Sequence, residues 1–233
     1  MKGPDASKIQ TLFSDISKNY DTANDAITFG MARSWRKKLV KWSDAKPDDK
    51  ILDIATGTGD LAFDFLNYTN EKAEVIGIDF CQPMLDIAND KAKIKDSKIQ
   101  FIWGDATDLK FLSETFDIVS ISYGIRNVEN FEKAIQEMHR VLKPGGRFMI
   151  LETGSKDAGI LSPLINIYAS YIMPIVGGLI SGQKSAYKYL CESSSLFPSG
   201  KNLVDKILKV APFKTAENKK ILGGASFLYK FVK

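Results

Sequence analysis

The spacing of apolar residues changes twice along the chain. Between 8 and 44 they recur at helical intervals and include Phe13, Tyr20, Phe29, Trp35 and Trp42. That pattern predicts a helical N-terminal segment over 1–46. From residue 50 short apolar runs alternate with amphipathic stretches. Strands are expected at 50–55, 74–79, 99–103, 116–122 and 147–153, and helices at 60–67, 83–94 and 130–142. The last helix meets an emphatic breaker, Lys143-Pro144-Gly145-Gly146. Helices near 183–194 and 201–210 come next, then strands at 213–221 and 225–232 close enough to pair as a hairpin. Strand alternating with helix implies an α/β, doubly wound sheet of seven strands. It is Rossmann-like and mostly parallel, with an antiparallel C-terminal hairpin.

One stretch breaks the texture: Ala158 to Gln183 carries no charge. Ser162-Pro163 reads as an N-cap and first helical residue, and Pro174 is expected to end that helix. Gly177, Gly178 and Gly182 are expected to interrupt the chain beyond it. Such a helix covers about 16 Å, roughly half the core of a bilayer, so a membrane span is not expected.

Composition narrows the class. The 233 residues are 44% hydrophobic with a net charge of +4, enough for a full core and too weakly basic to point to nucleic acid. Basic residues do cluster, at Arg33, Arg36, Lys37, Lys38 and Lys41 and again from Lys201 onward. Two cysteines without metal spacing, Cys81 and Cys191, predict no disulfide framework and no metal site. With no apolar run after Met1, a cytoplasmic protein is expected.

The sharpest motif is Ile51-Leu-Asp-Ile-Ala-Thr-Gly-Thr-Gly-Asp-Leu-Ala62, a strand running into a glycine turn and a helix. Gly57 permits the tight turn, and Gly59 is expected to let a ligand approach the backbone. Asp79, ending the second strand, is placed to accept both hydroxyls of a ribose. Gly57-x-Gly59-x-x-Ala62 also satisfies the dinucleotide fingerprint. Three features favour S-adenosylmethionine instead. Asp60 puts an anion where a pyrophosphate would lie and suits the ligand's amino group. Asp105-Ala106 follows the third strand, within reach of an adenine. The terminal hairpin replaces the further parallel units of a dinucleotide fold.

From Gly57 to Thr153 the chain resembles a class I methyltransferase, with Arg140-Val-Leu-Lys-Pro-Gly-Gly-Arg147 before the fifth strand. The whole chain resembles the ubiquinone/menaquinone biosynthesis C-methyltransferase family. The matching pieces are Tyr20-Asp21-x-x-Asn24-Asp25, Trp35-Arg36, Ala55-Thr-Gly-Thr-Gly-Asp60, Ser120-Ile-Ser-Tyr-Gly-Ile-Arg-Asn-Val128, and Tyr187-x-Tyr189-Leu190-x-Glu192-Ser193 before Phe197-Pro198. The resemblance implies that Thr58, Asp79, Asp105, Ala106 and Ser122 contact S-adenosylmethionine, and that the substrate is a polyprenylated quinol methylated on a ring carbon. Demethylmenaquinol is the expected substrate, a methoxy-polyprenyl-benzoquinol the alternative. Departures occur at Leu151-Glu-Thr-Gly-Ser-Lys-Asp157, where the family reads Leu-Glu-Phe-Ser-Lys-Pro, and at Ala32, which replaces a histidine; they bear on the substrate and not on the cofactor half.

A quinol ring attacks through carbon as a phenolate, so a partner for the hydroxyl proton or the oxyanion is needed. The candidate catalytic residues are Arg126 and Asn127, in the loop after the fourth strand, with Tyr20 and Asp21 lining the same pocket from the N-terminal helices. Asp21 is the candidate proton acceptor and Arg126 the oxyanion partner. Tyr123 is read equally well as core, and His139 as structural. The chain is read as a single domain over 1–233, with 158–200 a helical cap over the substrate site. The uncharged segment within it is open to three readings: cap, homodimer interface, or contact with a membrane surface.

Overall fold

The computed structural model describes residues 3–154 and 167–233. Its centre is β1 (Lys50–Ile54), whose Ile51, Leu52 and Ile54 are all buried, the mark of a strand covered on both faces. On one side β1 pairs in parallel with β2 (Glu74–Asp79), which pairs with β3 (Gln100–Trp103). On the other it pairs with β4 (Phe116–Ser122), then β5 (Leu142–Thr153). β7 (Ser226–Val232) lies antiparallel to β5, and β6 (Thr215–Ile221) closes the edge. The spatial order is β3-β2-β1-β4-β5-β7-β6. β7 is apolar and buried, whereas β6 exposes Glu217, Lys219 and Lys220, charges that blunt an open edge.

Helices cover both faces. α3 (Met31–Ser43), α4 (Asp60–Tyr68) and α5 (Gln82–Ile94) bury Leu39, Phe65 and Ala88 on one. α6 (Phe131–Val141), capped by Asn130 accepting from Lys133 N at 3.0 Å, and α9 (Lys201–Leu208) cover the other. His139 on α6 packs edge-on against Phe213, a core contact as expected.

α6 ends at Val141, just before the breaker at residues 143–146, but the breaker itself lies within β5, which starts at Leu142 and not at 147 as expected. Phe116 lies opposite Leu142 but Ile118 opposite Arg147, so the intervening residues bulge out of the strand. Gly145 takes φ 77°, and its N donates to the Lys233 carbonyl at 2.8 Å, tying the bulge to the chain's last residue.

A third apolar cluster joins α1 (Ala6–Ile16), α2 (Tyr20–Thr28), α7 (Met173–Ser181) and α8 (Lys184–Leu196) beside the start of α5. The expected helix start at Ser162-Pro163 lies outside the described residues. Pro174 corrects the expected helix end. A wide π turn at Tyr168–Ile172 runs into α7 with Met173 N donating to the Tyr168 carbonyl, so the helical backbone continues through Pro174, the second residue of α7. Nor do Gly177 and Gly178 interrupt the helix. They seat it, since a Cβ on Gly177 would stand 2.3 Å from the Tyr187 ring and one on Gly178 2.9 Å from Lys184 Cβ. Gly182, at φ 76°, ends α7. Overpacking of this kind costs about 1–3 kcal/mol, so Gly177→Val is expected to lower the melting temperature. An unchanged melting curve would mean the two helices are not held so close. Among the described residues no helix is long and apolar enough to cross a membrane.

Candidate active site

Beyond the carboxyl end of β1 the chain must turn sharply, and it does so with Ala55 at φ 51° and Gly57 at φ 56°. A buried carboxylate anchors the turn from beneath. Asp53 accepts from Thr56 Oγ1 at 2.6 Å and from Ser120 Oγ of β4 at 2.8 Å. Burial pushes its pKa up to about 7 against the pull of the Thr56 and Ser120 hydrogen bonds, with Asp79 adding a smaller rise. A carboxyl that holds its proton more tightly folded than unfolded costs stability as pH rises, here from about 4 to about 7. Unfolding free energy measured over that range is expected to fall with pH more steeply in the parent than in Asp53→Asn. Parallel profiles would remove Asp53 from this role.

Asp79 governs the turn from the side. Its Oδ2 accepts from Gly57 N at 2.8 Å and its Oδ1 from Cys81 N at 2.9 Å. Burial raises its pKa, against the pull of these backbone donors. The shoulder of Gly57 is open: a Cβ there would meet nothing within 4 Å. Gly59 differs. At φ 86° a Cβ on it would stand 2.5 Å from the Phe101 ring, so the bare backbone here seats α4 against β3.

Gly57 and Asp79 border a cavity of about 560 Å³ where β1 and β4 part, the switch point at which open α/β sheets bind ligands. One wall carries Gly57, Asp79, Met84, Asp105 and Ala106; the other carries Ser122, Tyr123 and Asn127, with Phe13 and Tyr20 reaching in from α1 and α2. Asp105 turns one oxygen toward Thr107, accepting from its N at 2.7 Å and its Oγ1 at 2.9 Å. Asn127 sits in a single helical turn, Ile125–Asn127, and its Oδ1 accepts from Tyr189 OH at 3.2 Å. Tyr123, at φ 55°, holds a left-handed conformation rare for a side chain of its size, and burial raises its phenol pKa.

Of the expected site residues, Gly57, Asp79, Asp105, Ala106, Ser122, Asn127 and Tyr20 meet at this cavity. Four do not border it. Thr58 is buried and donates to Asp21 Oδ1 at 2.6 Å. Asp21 spends its other oxygen on Lys91, 2.6 Å away, so the expected proton acceptor is an ion-pair partner that clips α2 to the glycine turn. Gly59 is occupied as described. Arg126 is engaged behind the lining, its Nη1 donating to Glu152 Oε1 at 2.5 Å and to the Tyr123 carbonyl at 2.9 Å. Asp60 is not left for a ligand's amino group either, since Arg36 at 2.7 Å and Lys91 at 2.9 Å hold it. Burial works to raise its pKa; those two cations outweigh it and the net shift is downward.

Two positions at or behind the cavity wall escape a reading by motif. Phe13 belongs to the aromatic-rich N-terminal stretch, whose composition was its only signal. Glu152 is wholly buried at the end of β5; its signal is a lone carboxylate in an apolar strand. Oε1 also accepts from Thr153 N at 2.7 Å, while Oε2 and Arg126 Nε find no partner among the described residues.

The sheet order, the glycine turn and the carboxylate closing β2 define a class I methyltransferase fold. A methyltransferase structure from Thermotoga maritima, described as S-adenosylmethionine-dependent, superposes with a TM-score of 0.68 at 18% identity, covering 96% of this chain and 99% of that one. The chain belongs to the ubiE/COQ5 methyltransferase family, which it matches over residues 1–233. It is 42% identical to the ubiquinone/menaquinone biosynthesis C-methyltransferase of Bdellovibrio bacteriovorus, across 97% of this chain and 96% of that protein. To the demethylmenaquinone methyltransferase of Thermus thermophilus it is also 42% identical, over 81% of this chain and 85% of the relative.

Proposed function

We propose that this protein transfers a methyl group from S-adenosylmethionine to a ring carbon of a polyprenylated quinol, demethylmenaquinol foremost. The observation that carries it is the cavity at the switch point, with Asp79 on one wall and Tyr20 with Asn127 on the other, in a chain of this family. The residues fit the cofactor. Asp79 keeps lone pairs for two ribose hydroxyls, the open shoulder of Gly57 admits the ligand's backbone side, and Ala106 with Asp105 suits an adenine. Bound there, the cofactor supplies an electrophilic methyl on a sulfonium, a group that needs alignment and dryness more than activation.

The chain's own residues would act on the quinol. Phe13 and Tyr20 offer faces to an aromatic ring, and Asn127 a side-chain amide. Burial raises the phenol pKa of both Tyr20 and Tyr189, and the Arg126 guanidinium works to lower each. A substrate hydroxyl in the same place would feel the same cation, which favours the phenolate. Arg126 thus acts through its field, held in position by Glu152. Since a polyprenyl tail resides in a bilayer, the protein is read as working peripherally at the cytoplasmic face of a membrane.

Mass spectrometry of quinones from cells lacking this protein is the test. Accumulation of the desmethyl naphthoquinone supports the proposal, and a desmethyl benzoquinone would shift the substrate to the alternative. An unchanged quinone pool would sink both.

A further inference from the structure

An uninterrupted apolar line runs along the outside of the cap. Ile167, Tyr171, Ile175 and Leu179 succeed one another at intervals of four through the π turn and α7, and are 55%, 68%, 50% and 82% exposed. Beside its start stands Phe29, 76% exposed, its ring 6.0 Å from that of Tyr168. Scattered apolar residues on a surface need no account, but a contiguous line of this size does.

Basic residues predominate among the charges near the line, and Asp25 on α2 and Glu192 on α8 each have a cationic partner, Arg33 and Lys188. Phe29 leads directly into α3, whose Lys37, Lys38 and Lys41 are exposed, with Lys37 and Lys41 one turn apart on the same face. Arg33, earlier on α3, pairs with Asp25. At the other end of the line Lys184 packs against Gly178 and is exposed as well. From Met173 to Ser181 no carboxylate interrupts the apolar surface.

We infer that this face is the docking surface for an anionic lipid bilayer, with α7 lying in the plane of the headgroups. The inference rests on the tailed substrate proposed above and goes beyond it by naming the face that meets the membrane. From Ile167 to Leu179 the line measures about 18 Å at 1.5 Å per residue, too short to span a bilayer and long enough to lie along it. Lys184 at one end of the line, together with the exposed lysines of α3 that follow Phe29 in the chain, suits snorkelling to phosphates. A second copy of the chain is the poorer occupant, because a two-fold contact on this face would bring like charges together with no carboxylate on α7 to answer them. The placement also suits the chemistry. α2 packs against α7, Tyr168 OH donates to the Ile27 carbonyl at 2.6 Å, and α2 carries Tyr20 on the cavity wall. A quinol drawn from the bilayer would therefore enter beside an element already seated in it.

Vesicle flotation tests the assignment, using vesicles of phosphatidylcholine alone and of phosphatidylcholine with phosphatidylglycerol in equal parts. The parent protein is expected to float with the anionic vesicles, less so as salt rises. Tyr171→Glu/Ile175→Glu/Leu179→Glu is expected to abolish flotation. Lys37→Glu/Lys41→Glu should weaken it by about tenfold or more at low salt, since each lysine near such a surface contributes roughly a fivefold factor. Both variants should keep the parent's circular dichroism and its methylation of a short-tailed, water-soluble quinol. If the parent floats with neither vesicle, or the variants float as it does, the assignment is wrong. It is equally wrong if the triple variant only turns a dimer into a monomer without changing flotation. Failure of the parent to methylate the soluble quinol would instead overturn the proposed reaction and leave the vesicle result standing.

Discussion

Arg126→Ala is expected to lower turnover by about tenfold or more while cofactor affinity changes little. A donor in direct contact with developing charge contributes roughly 10²–10³, and a cation paired with Glu152 that acts through its field contributes less. The guanidinium is positioned for it: the side chain is only 7% exposed, and its charge reaches both Tyr20 and Tyr189 on the substrate side. The same substitution strands Glu152, a wholly buried carboxylate, and breaking one partner of a buried pair destabilises by about 3–5 kcal/mol. The two effects are separable. Arg126→Ala combined with Glu152→Gln should recover much of the melting temperature and none of the turnover. Stopped-assay rates, calorimetry with S-adenosylhomocysteine and thermal melts on both variants make the measurement. A folded double variant with the parent's turnover would reduce Arg126 to a counter-ion for Glu152.

That pair also marks where the sequence stops being legible. Asp79 and the glycine turn could be read from the chain because the structure there is local: a strand, a turn and a second strand end lie within one βαβ unit. The roles of Arg126, Asp21 and Asp60 depend on partners brought in by tertiary packing. Arg126 is answered from β5, Asp21 from α4's turn and from α5, Asp60 from α3 and α5. In the sequence each reads as an unpaired charge near a ligand; in the fold each already holds an ion-pair partner. Pro174 fails for the opposite reason. A local rule treats proline as a helix stop, yet the helical backbone runs from the wide π turn through Pro174 into α7, with Met173 N still bonded back to the Tyr168 carbonyl. Gly59, Gly177 and Gly178 show a third limit. Sequence suggests that a glycine is needed, but whether it clears space for a ligand, an aromatic ring or a neighbouring helix is a matter of what packs against it.

Asp79→Ala is expected to weaken S-adenosylmethionine binding by about 2 kcal/mol or more, roughly thirtyfold in the dissociation constant. Hydrogen bonds to a charged acceptor contribute about 1.5–3 kcal/mol, and two ribose hydroxyls would lose theirs at once. The loss is not confined to the ligand. Gly57 N and Cys81 N both donate to this carboxylate, so the alanine variant also frees the glycine turn and the start of α5. Preorganisation lost in this way adds to the affinity penalty without any further contact being removed. Asp79→Asn separates the two contributions. The asparagine oxygen can still accept from Gly57 N, whereas its amide nitrogen faces the Cys81 N–H as a donor, and a neutral group accepts more weakly from a ribose. Its affinity is therefore expected to fall between the parent and the alanine variant, with a melting temperature nearer the parent's. Titration calorimetry with S-adenosylhomocysteine orders the three proteins. Binding by Asp79→Ala as tight as the parent's would place the cofactor somewhere other than over the end of β2.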